Sequence, residues 1–218
     1  MNTYRAAIFD MDGTLTDTLA DLHDSVNEML DHYNFPRRTL DEVRQFVGNG
    51  ARKLMIRSLP ADKENFVDAA LEFYNGCYAR NCLKKVKPYA GIMELLTALE
   101  AKKIPLGICT NKQHFAAIAI AEKILAPIKF SYVSGDEPGQ PRKPDPTRAL
   151  EGAKKFGVAP AQVAYFGDTA VDIQTAINAG FLAVGVTWGF RPRSELVDSG
   201  AQIIVDTPQE ILTQINFG

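Results

Sequence analysis

Two carboxylates stand one residue apart where an apolar run ends, in Ala6-Ala7-Ile8-Phe9-Asp10-Met11-Asp12-Gly13-Thr14-Leu15. An isolated buried carboxylate is costly, so Asp10 and Asp12 call for a partner. A hard divalent cation with oxygen ligands is one such partner. The pair also divides labour naturally: one acid attacks while the other handles protons. Taken alone, a strand closed by an Asp-Gly turn is common. Further polar groups follow other apolar runs. Leu106-Gly107-Ile108-Cys109 leads into Thr110-Asn111, and Val163-Ala164-Tyr165-Phe166 leads into Gly167-Asp168-Thr169-Ala170-Val171-Asp172. Between them, Lys143 lies in Arg142-Lys143-Pro144-Asp145-Pro146. A nucleophile with a second acid, a hydroxyl, a lysine and another acid pair is what phosphoryl transfer through a carboxylate needs. Its transition state is stabilised mainly by positioning and charge.

The elements that must carry these groups follow from periodicity. Leu19, Leu22, Val26, Met29, Leu30 and Tyr33 recur at helical spacing. Val43, Phe46 and Val47 precede Gly48-Asn49-Gly50, and Leu54, Met55 and Ile56 continue a second helical stretch. Phe66, Ala69, Ala70, Phe73, Cys77 and Tyr78 mark a third. From Lys87 onward strands and helices alternate. Helices are expected at 92–103, 113–124, 146–156, 170–179 and after Pro208, with strands at 105–109, 130–133, 162–167, 183–186 and 203–205. Alternation of this kind predicts an α/β fold with a parallel sheet covered on both faces. Residues 1–15 and 87–218 are expected to form the core, with 16–86 inserted as a helical cap. In open α/β sheets the ligand site lies at the carboxyl ends of the strands.

Composition narrows the function classes. The chain of 218 residues has a net charge of −2, and no basic stripe suggests nucleic-acid binding. No apolar run spans a bilayer and no secretory signal is expected, so the reading is cytoplasmic. Three cysteines, Cys77, Cys82 and Cys109, fit reduced thiols rather than a disulfide framework.

These residues together resemble the haloacid dehalogenase superfamily, and within it the phosphoglycolate phosphatase-like hydrolases. The D-x-D-G-T-[LV] motif falls on residues 10–15, the Thr-Asn-Lys variant on Thr110-Asn111-Lys112, Lys-Pro on Lys143-Pro144, and G-D-[ST]-x-x-D on Gly167 to Asp172. The resemblance implies a Rossmann-like core with an inserted cap and Mg2+-dependent hydrolysis of a small phosphorylated metabolite, 2-phosphoglycolate being the first candidate. It makes Asp10 the nucleophile and Asp12 the general acid and base, with Mg2+ held by the Asp10 and Asp168 side chains and the Asp12 carbonyl. Thr110, Asn111 and Lys143 are expected on the phosphoryl group, and Asp172 behind the metal or Lys143. The Gly48–Lys53 segment resembles the substrate loop of such caps. It brings forward Asn49 and Arg52 as substrate-binding residues, Arg52 by a bidentate fork on a substrate carboxylate; Lys53 reads as a solvated helix-face residue. A monomer or homodimer is expected.

Asp12 argues against a dehalogenase or phosphonatase, which lack it, and Thr14 against a β-phosphoglucomutase, which usually has a small apolar residue there. A mutase-like phosphotransferase and a pyrophosphatase are the enzymatic alternatives. A phospho-acceptor signalling module or a degenerate binding protein on this scaffold is the non-enzymatic one. Receiver modules, however, are shorter and carry no cap.

Overall fold

The computed structural model describes residues 2–218. Six parallel strands form the core sheet: β1 (Ala6–Phe9), β4 (Leu106–Gln113), β5 (Tyr132–Asp136), β6 (Val163–Gly167), β7 (Leu182–Val186) and β8 (Ile203–Val205). Their order is β5-β4-β1-β6-β7-β8. β1, β6 and β7 are buried along their whole length. That explains their unbroken apolar runs, since a sheet covered on both faces has no polar side. The covering helices are α5 (Ile92–Ala101), α6 (His114–Lys123), α7 (Thr147–Phe156), α8 (Ala170–Ala179), α9 (Arg193–Asp198) and α10 (Pro208–Gln214).

The chain enters at the centre of the sheet. It builds outward through β4 and β5, then crosses back to build β6, β7 and β8 on the other side of β1. The order therefore reverses at β4-β1-β6, where a crevice opens at the carboxyl ends. Asp10, Thr110 and Asp168 belong to these three neighbouring strands or the residue that follows them.

A helical cap is inserted after β1. It consists of α1 (Leu19–His32), α2 (Leu40–Phe46), α3 (Ala51–Ser58) and α4 (Val67–Asn81). The apolar faces of these helices pack together around Val26, Met29, Leu30, Val43, Met55 and Ala70, in a cluster that also takes in Ala116 and Phe190 from the core. A short antiparallel ribbon, β2 (Thr16–Asp17) with β3 (Lys87–Pro88), joins the outgoing and returning chain. The buried Asp21 carboxylate accepts from the Lys85 and Val86 amides at 3.0 Å and ties the return to α1.

Four details depart from sequence periodicity. The stretch around residues 43–56 is two helices broken at Gly48-Asn49-Gly50, where Gly48 and Gly50 take left-handed φ values of 117° and 85°. β4 runs on to Gln113 because, after an irregularity, Gln113 pairs with Asp136. β5 accordingly lies later than residues 130–133. The ribbon and α9 are too short for a periodic signal. The three cysteines are free and buried. Among the described residues, no helix is long and apolar enough to cross a membrane.

Candidate active site

β1 delivers Asp10 and Asp12 to one cavity at the sheet's carboxyl edge, together with Thr110, Asn111, Lys112 and Gln113 from β4 and Thr169 from the start of α8. The cavity encloses about 540 Å3, part of it open to solvent. The two acids have different surroundings. Lys143 Nζ lies 2.9 Å from Asp10 Oδ1, but off the hydrogen-bond direction, so this buried oxygen has no hydrogen-bond partner. The same ammonium donates to Asp172 Oδ1 at 2.6 Å and to Tyr165 Oη at 3.0 Å. Asp12 Oδ1 instead accepts from Thr18 Oγ1 and from Lys112 Nζ, both at 2.7 Å. Lys112 Nζ also bonds Tyr78 Oη, which arrives from α4 of the cap.

Asp10, Asp168 and Asp172 form the acidic cluster, each offering a carboxylate oxygen within 4.8 Å of the others. Asp168 is wholly buried. Burial first, then the nearby Asp172 and Asp10 charges, holds its carboxyl well above the usual range. Burial and Asp10 also raise Asp172, against the pull of Lys143 and Thr169. Burial works to lower the Lys143 ammonium, but Asp10 and Asp172 outweigh it and leave it raised. Three buried carboxylates around one ammonium leave negative charge uncompensated, and an Asp10 oxygen is free to accept. This all-oxygen donor set fits a hard divalent cation.

The space beside Asp168 is closed by glycines. A Cβ at Gly13, where φ is +82°, would come within 2.3 Å of Asp168 Oδ2, and one at Gly189 within 2.3 Å of Asp168 Cβ. Thr14 Oγ1 and the Phe190 amide donate to the two Asp168 oxygens at 3.1 and 2.7 Å. Thr169 N and Oγ1 donate to Asp172 Oδ2 across the first turn of α8. Asp172 thereby stands behind Lys143, held from two sides.

The remaining expected residues divide. Thr110 lines the cavity. Asn111 lines it too, but its side chain is committed: Nδ2 donates to the Gly48 and Lys143 carbonyls, and Oδ1 accepts from Lys143 N and Arg148 Nη2. It is a brace between cap loop, β4 and the Lys143 loop. Asn49 and Arg52 are not among the lining residues. Arg52 points outward from α3 and pairs with Asp68 on α4. The structure does not bring Arg52 to the cavity: Gly50 starts α3 so that Ala51 and Leu54 face the cavity and Arg52 faces solvent. Lys53 is exposed, as a helix-face lysine should be.

Lys112, Tyr78, Gln113 and the Gly189-Phe190 loop were not expected as site residues. The clue to Lys112 is its place in the Thr110-Asn111-Lys112 run. Nothing local marks the Tyr78 hydroxyl.

The family model described as haloacid dehalogenase-like hydrolase matches residues 7–186. The chain belongs to the haloacid dehalogenase-like hydrolases. A phosphoglycolate phosphatase of Haemophilus influenzae is 32% identical over 98% of this chain and 99% of its own. An N-acetylmuramic acid 6-phosphate phosphatase of Pseudomonas aeruginosa is 31% identical over 95% of this chain and 93% of its own. A solved structure from Lactobacillus delbrueckii subsp. bulgaricus, provisionally assigned as a phosphoglycolate phosphatase, superposes with a TM-score of 0.91 at 31% identity, covering 99% of each chain. Within the family the chain is phosphoglycolate phosphatase-like, and its enzyme class is that of a phosphoric monoester hydrolase.

Proposed function

We propose that this chain is a Mg2+-dependent hydrolase of small phosphate monoesters that works through a phosphorylated Asp10. The observation that carries the reading is the separation of the two acids. Asp10 keeps a buried oxygen without a hydrogen bond beside Lys143, while Asp12 is held by Thr18 and Lys112. Two carboxylates in unlike surroundings take unlike roles. The names of the relatives put 2-phosphoglycolate on the substrate panel. Residues 16–86 are taken as the cap and 1–15 with 87–218 as the core; the mutual packing of the cap helices and the β2–β3 ribbon support that division. The free thiols agree with a cytoplasmic location.

In the first step an Asp10 oxygen bonds to phosphorus as the phosphorus–alkoxide bond breaks, and Asp12 gives its proton to the departing oxygen. In the second, Asp12 takes a proton from water as that water displaces Asp10 and phosphate leaves. Thr110 and nearby amides hold phosphoryl oxygens, and Lys143 balances their charge while Asp172 fixes its ammonium. A bound Mg2+, held by Asp10, Asp168 and the Asp12 carbonyl, would neutralise phosphoryl charge. Lys112 positions Asp12 rather than reacting.

Hydrolysis of p-nitrophenyl phosphate with Mg2+ and its loss in excess EDTA test the reading. Full activity in EDTA contradicts it. A readout without turnover is available as well. Mg2+ at about 100 times its dissociation constant should stabilise the protein by roughly 2.7 kcal/mol. That is about 5–10 °C in Tm for a chain of this size. Asp168→Asn should erase most of the increment. Because Asp168 is raised, the folded metal-free protein binds a proton there that the unfolded chain does not. Its destabilising effect is full above the raised value and fades as pH falls. Protons also compete with the metal, so the Mg2+ increment should shrink on acidification. An unchanged Tm with Mg2+ at any pH argues against this metal site.

Lys112→Met should reduce kcat/KM on an alkyl phosphate by roughly tenfold to a hundredfold, the scale of a misplaced catalytic group. The loss on p-nitrophenyl phosphate should be smaller, since a good leaving group needs less help from Asp12. Equal losses on both would show that Lys112 does not act through the acid.

A further inference from the structure

We propose that Arg148 is a positioning residue for phosphoryl binding: from the β5 side of β4 it sets the Thr110–Asn111 peptide and the Lys143 loop against each other. This rests on the hydrolase reading above and adds a residue that lies outside all four motifs. Arg148 stands on α7 and is the largest of the fully buried side chains. It makes no ion pair among the described residues. A buried guanidinium without a carboxylate is costly unless its N–H groups are otherwise engaged. Here they are engaged by oxygens of the loops that form the site.

The guanidinium reaches three segments. Nη1 donates to the carbonyls of Thr110 at 2.9 Å and Gly135 at 2.7 Å, Nε to that of Pro141 at 2.8 Å, and Nη2 to Asn111 Oδ1 at 3.1 Å. Thr110 and Asn111 belong to β4 and Gly135 to β5, while Pro141 lies two residues before Lys143. The β4–β5 register breaks between Cys109 and Gln113. Arg148 enters that break and supplies a donor to the Thr110 carbonyl.

Both groups expected on the phosphoryl oxygens are thereby constrained. The Thr110 carbonyl faces Arg148 on the β5 side, so the planar trans peptide turns the Asn111 N–H to the opposite side. That is the side of β1 and Asp10, because β4 lies between β5 and β1. The Asn111 Oδ1 that accepts from Arg148 also accepts from Lys143 N at 2.9 Å, and Asn111 Nδ2 donates to the Lys143 carbonyl at 3.2 Å. Arg148 therefore fixes the amide that holds the Lys143 backbone. Burial raises the Cys109 thiol against the pull of Lys143 and then Arg148, so both cations act on β4 beside Thr110. A second buried positive charge there favours a phosphate dianion in the cavity, since charges interact strongly away from water.

The experiment compares the parent chain with Arg148→Lys, Arg148→Met, Thr110→Val and the double variant Arg148→Lys/Thr110→Val. Two quantities are read: kcat/KM on p-nitrophenyl phosphate with Mg2+, and the rise in Tm when inorganic phosphate is added with Mg2+. Lysine keeps the charge but cannot span three segments. Arg148→Lys should lower kcat/KM roughly tenfold to a hundredfold, the scale of a misplaced catalytic group, and Arg148→Met should lower it further. Both should lose most of the phosphate-dependent rise in Tm. A mere brace for the sheet edge would lower the starting Tm and leave that rise intact. In the Thr110→Val background, Arg148→Lys should cost less than about threefold, because residues acting on one phosphoryl group are not additive. The proposal is overturned if Arg148→Lys stays within about twofold of the parent, or if the two losses multiply in the double variant. It is overturned equally by a full phosphate-dependent rise in either Arg148 variant. If Arg148→Met does not fold, Arg148→Lys carries the comparison. If the parent shows no Asp10-dependent hydrolysis, the hydrolase reading fails, and the phosphate-dependent Tm alone decides on Arg148.

Discussion

Asp10→Asn should leave a folded protein whose hydrolysis of p-nitrophenyl phosphate is slower by about 10⁴-fold or more, the scale of losing a nucleophile. The substitution is nearly isosteric, and Lys143 keeps its bond to Asp172, so the sheet edge should hold together. What disappears is one oxygen of the carboxylate that lines the cavity beside Lys143. An amide there cannot form the phosphorylated intermediate. Two measurements check this: steady-state rates beside a melting curve, and retention of radiolabelled phosphate on the protein after rapid quenching. Label should appear on the parent chain and be absent from the variant. A near-parental rate from the folded variant would remove Asp10 as nucleophile, whatever the metal dependence.

The second large effect belongs to Asp12. Asp12→Ala should slow release of an alkyl alcohol by roughly 10²–10⁴-fold in a single turnover, the usual contribution of a general acid. Release of p-nitrophenol should fall much less, since that group leaves without a proton. The contrast must be read on the first step, because the second step needs Asp12 as a base with every substrate. The structural motive is that Asp12 is bonded to Thr18 and Lys112 rather than gathered into the cluster of Asp10, Asp168 and Asp172. Equal slowing of the two release steps would argue that Asp12 is structural, for example as the counter-charge that keeps Lys112 buried.

The strand ends were legible because apolar runs and their polar terminators are local. Ala6–Phe9 and Val163–Gly167 fall within a residue of the expected strands, and each is followed by an acid. The Thr-Asn-Lys run was legible as a motif, but its division of labour was not. Asn111 is a brace and Lys112 reaches Asp12, and both facts depend on which face of β4 meets which loop. Arg52 lies outside the cavity for a related reason. Residue spacing gives a helix period but no absolute phase, and the phase of α3 was decided by Gly50 and by packing on α4.

By itself, the order of residues determined the alternation of strands and helices, the insertion of a helical segment after the first strand, and the carboxylates, hydroxyl and lysine that collect at strand ends. Those properties follow from backbone periodicity and from turn chemistry, which act over a few residues. The tertiary structure alone decided which charges meet. Tyr78 reaches Lys112 across 34 positions, Lys112 reaches Asp12 across 100, and Thr14 reaches Asp168 across 154. Such pairings depend on how the cap seats on the sheet and on which polar atoms lose water when it does, and no local pattern encodes either.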